Sequence, residues 1–527
     1  MAGKARAAWL VLPVIALYFV AALARIDVPG PYMDAVNPDY LIARVLAPDW
    51  RNVPVWVLPG NLLFHRFPVL IQLYHGALPY YLTAPFYLAF GTGIEGIRIA
   101  NAALGAMVLL ALHAFLRAFA VPLWAALPVL AVLALDPAFT LSFRTQFGIT
   151  LLPMAFLLLS PALLQADGPP ARWRILASGV AAGLSVYGYF IYAFLALPVA
   201  AFAMWRLANG RARIAWLLGA AAGASGYAAG VLLGIVSAGG VPVFLARLGA
   251  TVHALDPGQS SLPLTDRLAL FGSLARLALT SDGNLRMMLN AGSPAPAAGL
   301  FLMAAVVPAG LLLARRGPAI PLLLGIVLGY LLLVLTFGDR LWAHHLSGLV
   351  VVAHGLLACV LAALPMRSAA RPLALAIALA PLLALNLGQR AHALERLAQT
   401  GGVGLSSDAI TRFARHMDAM RPRPVVFTPD WGVMMPLSLL TRGAFPVIDG
   451  FLPEAARARL CGGDDIVVAA VVTEATTATG AHEARVAAWG EAIGWGAPER
   501  QAFAQRGGEP VLVALTWRAS ARPAARC

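Results

Sequence analysis

GALPYYLTAPFYLAFG, residues 76–91, is the stretch whose reading decides the topology of this chain. It is apolar enough to enter a bilayer, yet Pro79 and Pro85 interrupt it and Tyr80, Tyr81 and Tyr87 stud it. That composition suits a helix lying along the membrane surface, where aromatic rings sit at headgroup level, better than one crossing. If it crossed, every later loop would change sides and the basic loops after Arg172 would all face outward. Short cytoplasmic loops retain lysine and arginine. The charge bias therefore keeps residues 76–91 on the outer surface.

The surrounding chain has 527 residues, 60% hydrophobic and 12% charged, with a mean hydropathy of +0.78 and a formal net charge of +14. Soluble domains carry about 25% charged residues, so this is an α-helical polytopic membrane protein. Outer-membrane strands need only about 10 residues, whereas the apolar runs here have helix-spanning length, so a β-barrel is excluded. The basic excess (Lys4, Arg6, Arg172, Arg174, Arg206, Arg211, Arg213, Arg315, Arg316, Arg367, Arg371) sits in short loops, with Asp167 the one acid among them. It is not clustered on one face among aromatics, so no nucleic-acid partner is expected.

Apolar windows predict about eleven transmembrane helices, near 8–24, 97–117, 121–135, 147–165, 175–188, 189–205, 214–237, 297–314, 319–336, 343–364 and 372–388. The basic start and the Ala22-Leu23-Ala24 triplet imitate a signal peptide; the run is read instead as an uncleaved first helix with a cytoplasmic N-terminus. The outside then receives residues 25–96, DPAFTLSFRTQ from Asp136, the loop 239–296, GDRLWAHH from Gly338, and residues 389–527. Residues 1–388 form the membrane domain. The last 140 or so residues alternate strand and helix patterns, with PVVFTPD, DIVVAAVVTE and VLVALTW as strands, and form a small extracytoplasmic α/β domain. Cys461 and Cys527 in this domain could pair in an oxidising compartment.

Four outer stretches carry candidate chemistry. PGPYMDAVNPDYLIARVL from Pro29 places Asp34 and Asp39 just after the first helix, where a general base could reach a substrate whose lipid tail stays in the bilayer; Asp39 serves equally as a helix cap. HRFPVLIQLYHGALPYYL from His65 offers Arg66 and His75 to a phosphate, and tyrosines to a sugar, although an aromatic belt explains most of the tyrosines. DPAFTLSFRTQFG from Asp136 sets Arg144 beside a span, either at a functional site or paired with Asp136. FGDRLWAHHLSGL from Phe337 gathers Arg340, His344 and His345, a set better suited to anionic phosphate than to zinc, since adjacent histidines do not share a helix face. No metal site is assigned, and the spacing of Asp34, Asp39 and Asp49 leaves a divalent cation open. Walker, GxSxG, HExxH and nucleotide fingerprints are absent, which removes support for nucleotide-driven transport and serine-hydrolase chemistry.

In order, the N-terminal helix, the acidic outer loop, YHGALPYYLTAPFYLAFGTGIEGIRIANAALG from Tyr74 and DPAFTLSFRTQFG resemble the GT-C superfamily of polytopic membrane glycosyltransferases. The likeness is to bacterial members related to protein O-mannosyltransferases and the lipid A aminoarabinose transferase. It covers roughly the first 210 residues by motif, matching Asp34, the segment Pro79 to Gly91, and Arg98. Ala35 follows Asp34 where the family often has Asp-Glu, which leaves the catalytic carboxylate open between Asp34 and Asp39. The resemblance implies a bacterial inner-membrane glycosyltransferase without a cofactor, taking a polyprenyl-phosphate-linked sugar donor among membrane lipids and an extracytoplasmic lipid, glycan or protein acceptor. Combined with the residue reading, His75, Arg144, Arg340, His344, His345 and Arg66 become candidates to hold the donor phosphate. The competing expectations are a transporter or scramblase of lipid-linked saccharides, and a catalytically inactive relative.

Overall fold

The computed structural model describes residues 9–165, 168, 170–246, 262–293, 298–472 and 481–521. Lys4, Arg6, Asp167 and Cys527, and with Cys527 the proposed cysteine pairing, lie outside the described residues. A helix occupies each of the eleven apolar stretches, from Leu12–Leu23 to Arg371–Thr400. Among the described residues, six helices are long and apolar enough to cross a membrane by length and composition. A seventh is added if Leu123–Leu135 and Pro137–Arg144, bent by 61°, count as one span, and Leu12–Leu23 and Tyr192–Arg206 are shorter apolar helices. Eleven crossings is thus more than these helices establish by themselves, because several end early at turns.

Residues 76–91 form the helix Leu78–Phe90, opened by Pro79 and closed by Gly91 at φ 77°. Proline suits a first helical turn and glycine a left-handed terminus. Its 13 residues extend about 20 Å, short of the roughly 30 Å hydrocarbon core. The long loop 239–296 contains two helices that hydropathy did not indicate, Leu264–Leu279 and Asp282–Leu289. Asn284 ties this loop to the Asp136 segment, accepting from the Thr145 hydroxyl at 2.7 Å and donating to Ser142 Oγ at 3.2 Å.

Helices Arg172–Gly188 and Gly210–Ala238 pack through two glycine pairs. A Cβ on Gly179 or Gly183 would meet the Trp216 or Ala220 carbonyl at 2.1 Å, and one on Gly223 would meet the Val180 carbonyl at 2.2 Å. Small residues four apart let the backbones close to dispersion distance where no hydrophobic driving force separates helix from lipid.

The first helix ends inside protein, so its last carbonyls need donors. Arginines supply them. Arg144 donates to the carbonyls of Ala22 (2.8 Å), Val28 (2.7 Å), Arg25 (3.2 Å) and Ala24, Arg390 donates to Ala21, and Arg98 to Pro29 at 2.5 Å. The chain leaving the helix is thereby held before it reaches Asp34.

In the outer loop two short antiparallel pairs form, β1 (Leu62–Leu63) with β2 (Phe67–Pro68) and β3 (Leu70–Gln72) with β4 (His75–Gly76). The C-terminal sheet comprises β5 (Val425–Thr428), β6 (Val447–Asp449), β7 (Ile466–Val471), β8 (Glu499–Ala504) and β9 (Pro510–Trp517), in the order β6-β5-β7-β9-β8. β5 runs parallel to β6 and β7, and β9 antiparallel to β7 and β8. The three strands legible in the sequence are β5, β7 and β9; β6 is very short, and β8, as ERQAFA, is polar and largely exposed. One apolar core joins this domain to the outer loop, with Tyr40, Leu41 and Ile71 packed among Phe413, Met435 and Leu437. Each such side chain stabilises by about 1.5–3 kcal/mol when fully buried. Arg506 adds ion pairs to Asp27 and Asp408, both at 2.8 Å. At Gly30, where a Cβ would lie 1.9 Å from the Ser407 carbonyl, the two units touch through backbone alone.

Candidate active site

Asp34 sits in the one-turn 3-10 helix Met33–Ala35, whose flanking residues Met33 and Ala35 are buried. Its own side chain is half-buried, and burial pushes its carboxyl up to about 6. The charge is felt by Tyr32, Tyr74 and Tyr189. For Tyr74, burial and then Asp34 push the phenol up to about 12, so it stays a hydroxyl donor.

Around Tyr189 the structure brings together residues from four distant stretches. His75 bridges to Tyr189 through the backbone, with ring centroids 5.8 Å apart, and Tyr74 stands 6.0 Å from the same ring. The Tyr189 hydroxyl is 3.2 Å from His345 Nε2, the His344 and His345 rings are 4.0 Å apart, and Gln146 Nε2 lies 3.1 Å from His344 Nδ1. Next to His75, a Cβ on Gly76 would strike the Tyr187 carbonyl at 1.9 Å, so glycine is required for this approach. His75 is 3% exposed and neither ring nitrogen has a partner among the described residues. Burial pushes it down to about 3. Toward a phosphate it would act as a neutral hydrogen-bond donor and not as a cation.

Asp39 lies deeper. Tyr87, from the helix Leu78–Phe90, donates to its Oδ2 at 2.9 Å, while Oδ1 has no partner among the described residues. Asp39 opens the short helix Asp39–Ile42 but makes no capping hydrogen bond. The cap reading is thus replaced by a buried carboxyl, because the chain turns it into the protein against Tyr87. Burial, opposed by the Tyr87 hydrogen bond, pushes it up to about 7. It lines a narrow cavity with Asn37, Asn101 and Thr145.

The remaining expected residues divide. Arg144 is buried and spends its guanidinium on the carbonyls of the first helix end, not on Asp136. Asp136 instead accepts from the Ala138 amide at 2.8 Å and faces His354 at 3.7 Å. Arg66 belongs to the β1–β2 hairpin beside Tyr80, whose hydroxyl donates to the Arg66 carbonyl at 3.1 Å. Arg340 is exposed at the end of the turn Gly338–Arg340, just before the histidines. Asp49 accepts from the Arg51 amide at 3.0 Å, and among the described residues no three His, Cys, Asp or Glu side chains converge on a point that would hold a metal ion.

Two contributors had no sequence signal. Tyr189 was hidden in an apolar run between two helices. Trp431, 50% exposed after β5, lies against Trp56 with centroids 5.1 Å apart and reaches the Tyr32 hydroxyl, which brings the C-terminal domain to the Asp34 side.

With this geometry in hand, likeness to solved structures identifies the fold. The structure of ArnT from Cupriavidus metallidurans in the apo state superposes with a TM-score of 0.54 at 13% identity, covering 99% of this chain and 100% of that one. ArnT from the same organism bound to undecaprenyl phosphate gives 0.49 at 16% identity over 96% and 98% of the two chains. Arabinofuranosyltransferase AftD from Mycobacteria gives 0.41 at 16% identity, covering 87% of this chain and 34% of that one. No protein-family model and no curated protein matches the chain. The chain thus has the fold of that ArnT structure.

Proposed function

We propose that this chain is a multi-pass inner-membrane glycosyltransferase that moves a sugar from a polyprenyl-phosphate-linked donor to an extracytoplasmic acceptor, with Asp34 as general base. The observation that carries this reading is the placement of Asp34: half-buried, with burial pushing its carboxyl up to about 6, and close enough to Tyr32, Tyr74 and Tyr189 for its charge to act on all three. A base works best with a pKa near the operating pH. The fold, shared with ArnT, the lipid A aminoarabinose transferase, supports it further.

In this mechanism the Asp34 carboxylate takes the proton of an acceptor hydroxyl. The acceptor oxygen forms a bond to the anomeric carbon as the bond from that carbon to the lipid phosphate breaks, and negative charge grows on the departing phosphate. Fixed donors aimed at that charge contribute most to lowering the barrier. We assign this role to Gln146, the Tyr189 hydroxyl, His344 and His345, which contact one another, with the exposed Arg340 nearby in the chain. Arg144, engaged with carbonyls, holds the loop that presents Asp34. Asp39, whose carboxyl burial pushes up to about 7, lines the adjoining cavity. Trp56 and Trp431 offer the faces on which a saccharide acceptor would stack. The proposed arrangement has the cytoplasmic N-terminus, about eleven crossings over residues 1–388 and an extracytoplasmic domain over 389–527.

The test is transfer from a radiolabelled polyprenyl-phosphate sugar by the purified protein in nanodiscs. Transfer to water or to added membrane lipid that is lost in Asp34→Asn supports the reading. Headgroup-dependent flipping without transfer identifies a scramblase instead, and donor binding without either an inactive relative.

A further inference from the structure

The β1–β2 hairpin turns apolar side chains away from the protein. Phe64 is 83% exposed, and Leu63 and Phe67 are each 42% exposed. Phe64 and His65 both adopt left-handed backbone, φ 49° and 59°, a conformation that bulky residues rarely take. A turn at this place would be less strained with asparagine or glycine, so these side chains are held at the tip despite the backbone cost.

The base of the hairpin is fastened to the helix Gly210–Ala238. Asn61 Nδ2 donates to the Gly230 carbonyl at 2.8 Å, and a Cβ on Gly60 would lie 2.8 Å from the Leu233 carbonyl. That helix has 29 residues, about 43 Å at 1.5 Å per residue, against roughly 30 Å of hydrocarbon. Centred in the bilayer, its apolar crossing would run from about residue 214 to about 234. On that placement Leu233 falls at the hydrocarbon boundary and Gly230 about one turn, roughly 6 Å, inside it. The neighbouring Leu232 and Val236 are exposed on the same helix end.

Cations surround the tip's polar side. His65 stacks on Trp50 with centroids 4.9 Å apart, and Arg44 and Arg51 lie over the same indole at 4.8 and 5.5 Å. Arg66 completes the set within the turn. Apolar tip, aromatic collar and guanidinium groups follow the order of acyl chain, interface and phosphate in a lipid leaflet.

The geometry points to the β1–β2 hairpin as a phospholipid-binding element that inserts Phe64 and its apolar neighbours into the leaflet on the Asp34 side and engages lipid phosphates through Arg51 and Arg66. It is separate from the Asp34 cluster and holds whether or not the chain transfers sugar.

Phe64→Cys, labelled with the fluorophore NBD in the full-length protein, tests this in phosphatidylcholine–phosphatidylglycerol nanodiscs, with the labelling background of the unsubstituted protein subtracted. Blue-shifted emission, quenched by nitroxide-bearing lipids and resistant to aqueous iodide, is expected. Phe67→Cys should report the same, and Arg51→Gln with Arg66→Gln should lessen the lipid quenching. Iodide-accessible, water-like emission at both positions overturns the proposal. So does blue-shifted emission indifferent to lipid nitroxide, which means that protein covers the tip.

Discussion

The Tyr87 hydroxyl donates to the Asp39 carboxylate at 2.9 Å, so the helix Leu78–Phe90 and the acidic loop share a buried hydrogen bond. The Asp34 turn, five residues earlier in the same loop, is positioned from both sides, by this bond and by the arginine-held end of the first helix.

Removing that bond in Tyr87→Phe leaves a buried carboxyl short of a donor. A loss of about 1–3 kcal/mol is expected, together with a further rise of the Asp39 pKa, since the hydrogen bond lowers it. Thermal unfolding of wild type and variant in the same nanodiscs measures the first effect.

Asp39 also makes stability depend on pH. Its folded pKa of about 7 lies above the ordinary carboxylate value near 4, so the folded state holds the proton more tightly than the unfolded chain. The contribution is complete below about pH 4 and is lost as pH rises through about 7. Asp34, raised to about 6, acts in the same direction. The melting temperature of wild type minus that of Asp39→Asn should therefore fall as pH rises through this range, the oppositely shifted His75 being common to both proteins.

Transfer activity should run the other way, because Asp34 serves as base only when ionised. Turnover is expected to climb as pH passes about 6, and Asp34→Asn should lower it by about 10²–10⁴-fold. A pH–rate profile that keeps the same lower limb in Asp34→Asn removes Asp34 from the chemistry.

Arg144→Met should unfold more readily without a selective change in donor KM, since its guanidinium serves the carbonyls of Ala22, Arg25 and Val28. Each buried carbonyl left unpaired costs about 1–3 kcal/mol. Arg144→Lys should rescue only in part, lacking the planar fork that reaches several acceptors. A raised donor KM with unchanged stability would return Arg144 to phosphate binding.

Gly183→Leu should separate the helices Arg172–Gly188 and Gly210–Ala238, because even a Cβ there meets the Ala220 carbonyl at 2.1 Å. Overpacking of this kind costs about 1–3 kcal/mol or more. Size-exclusion profiles after a heating series would reveal the loss, with Gly210→Ala, which meets nothing within 4 Å, as the control.

The helical membrane class, the positions of eleven helices and three of the five C-terminal strands were legible in the sequence itself. Hydropathy, proline placement and strand alternation are local properties, and a solvent as distinctive as lipid enforces them along the chain. The acidic loop was legible as a candidate for the same reason: carboxylates next to a span are costly without a role. What only the tertiary structure decided was which of these residues meet. Asp34, His75, Gln146, Tyr189 and His345 come from separate segments, and no spacing in the chain encodes their approach. Arg144 and Asp39 show the same limit from the other side. A charge at a membrane boundary demands a partner, but whether that partner is a phosphate, a helix end or a tyrosine depends on the packing that surrounds it.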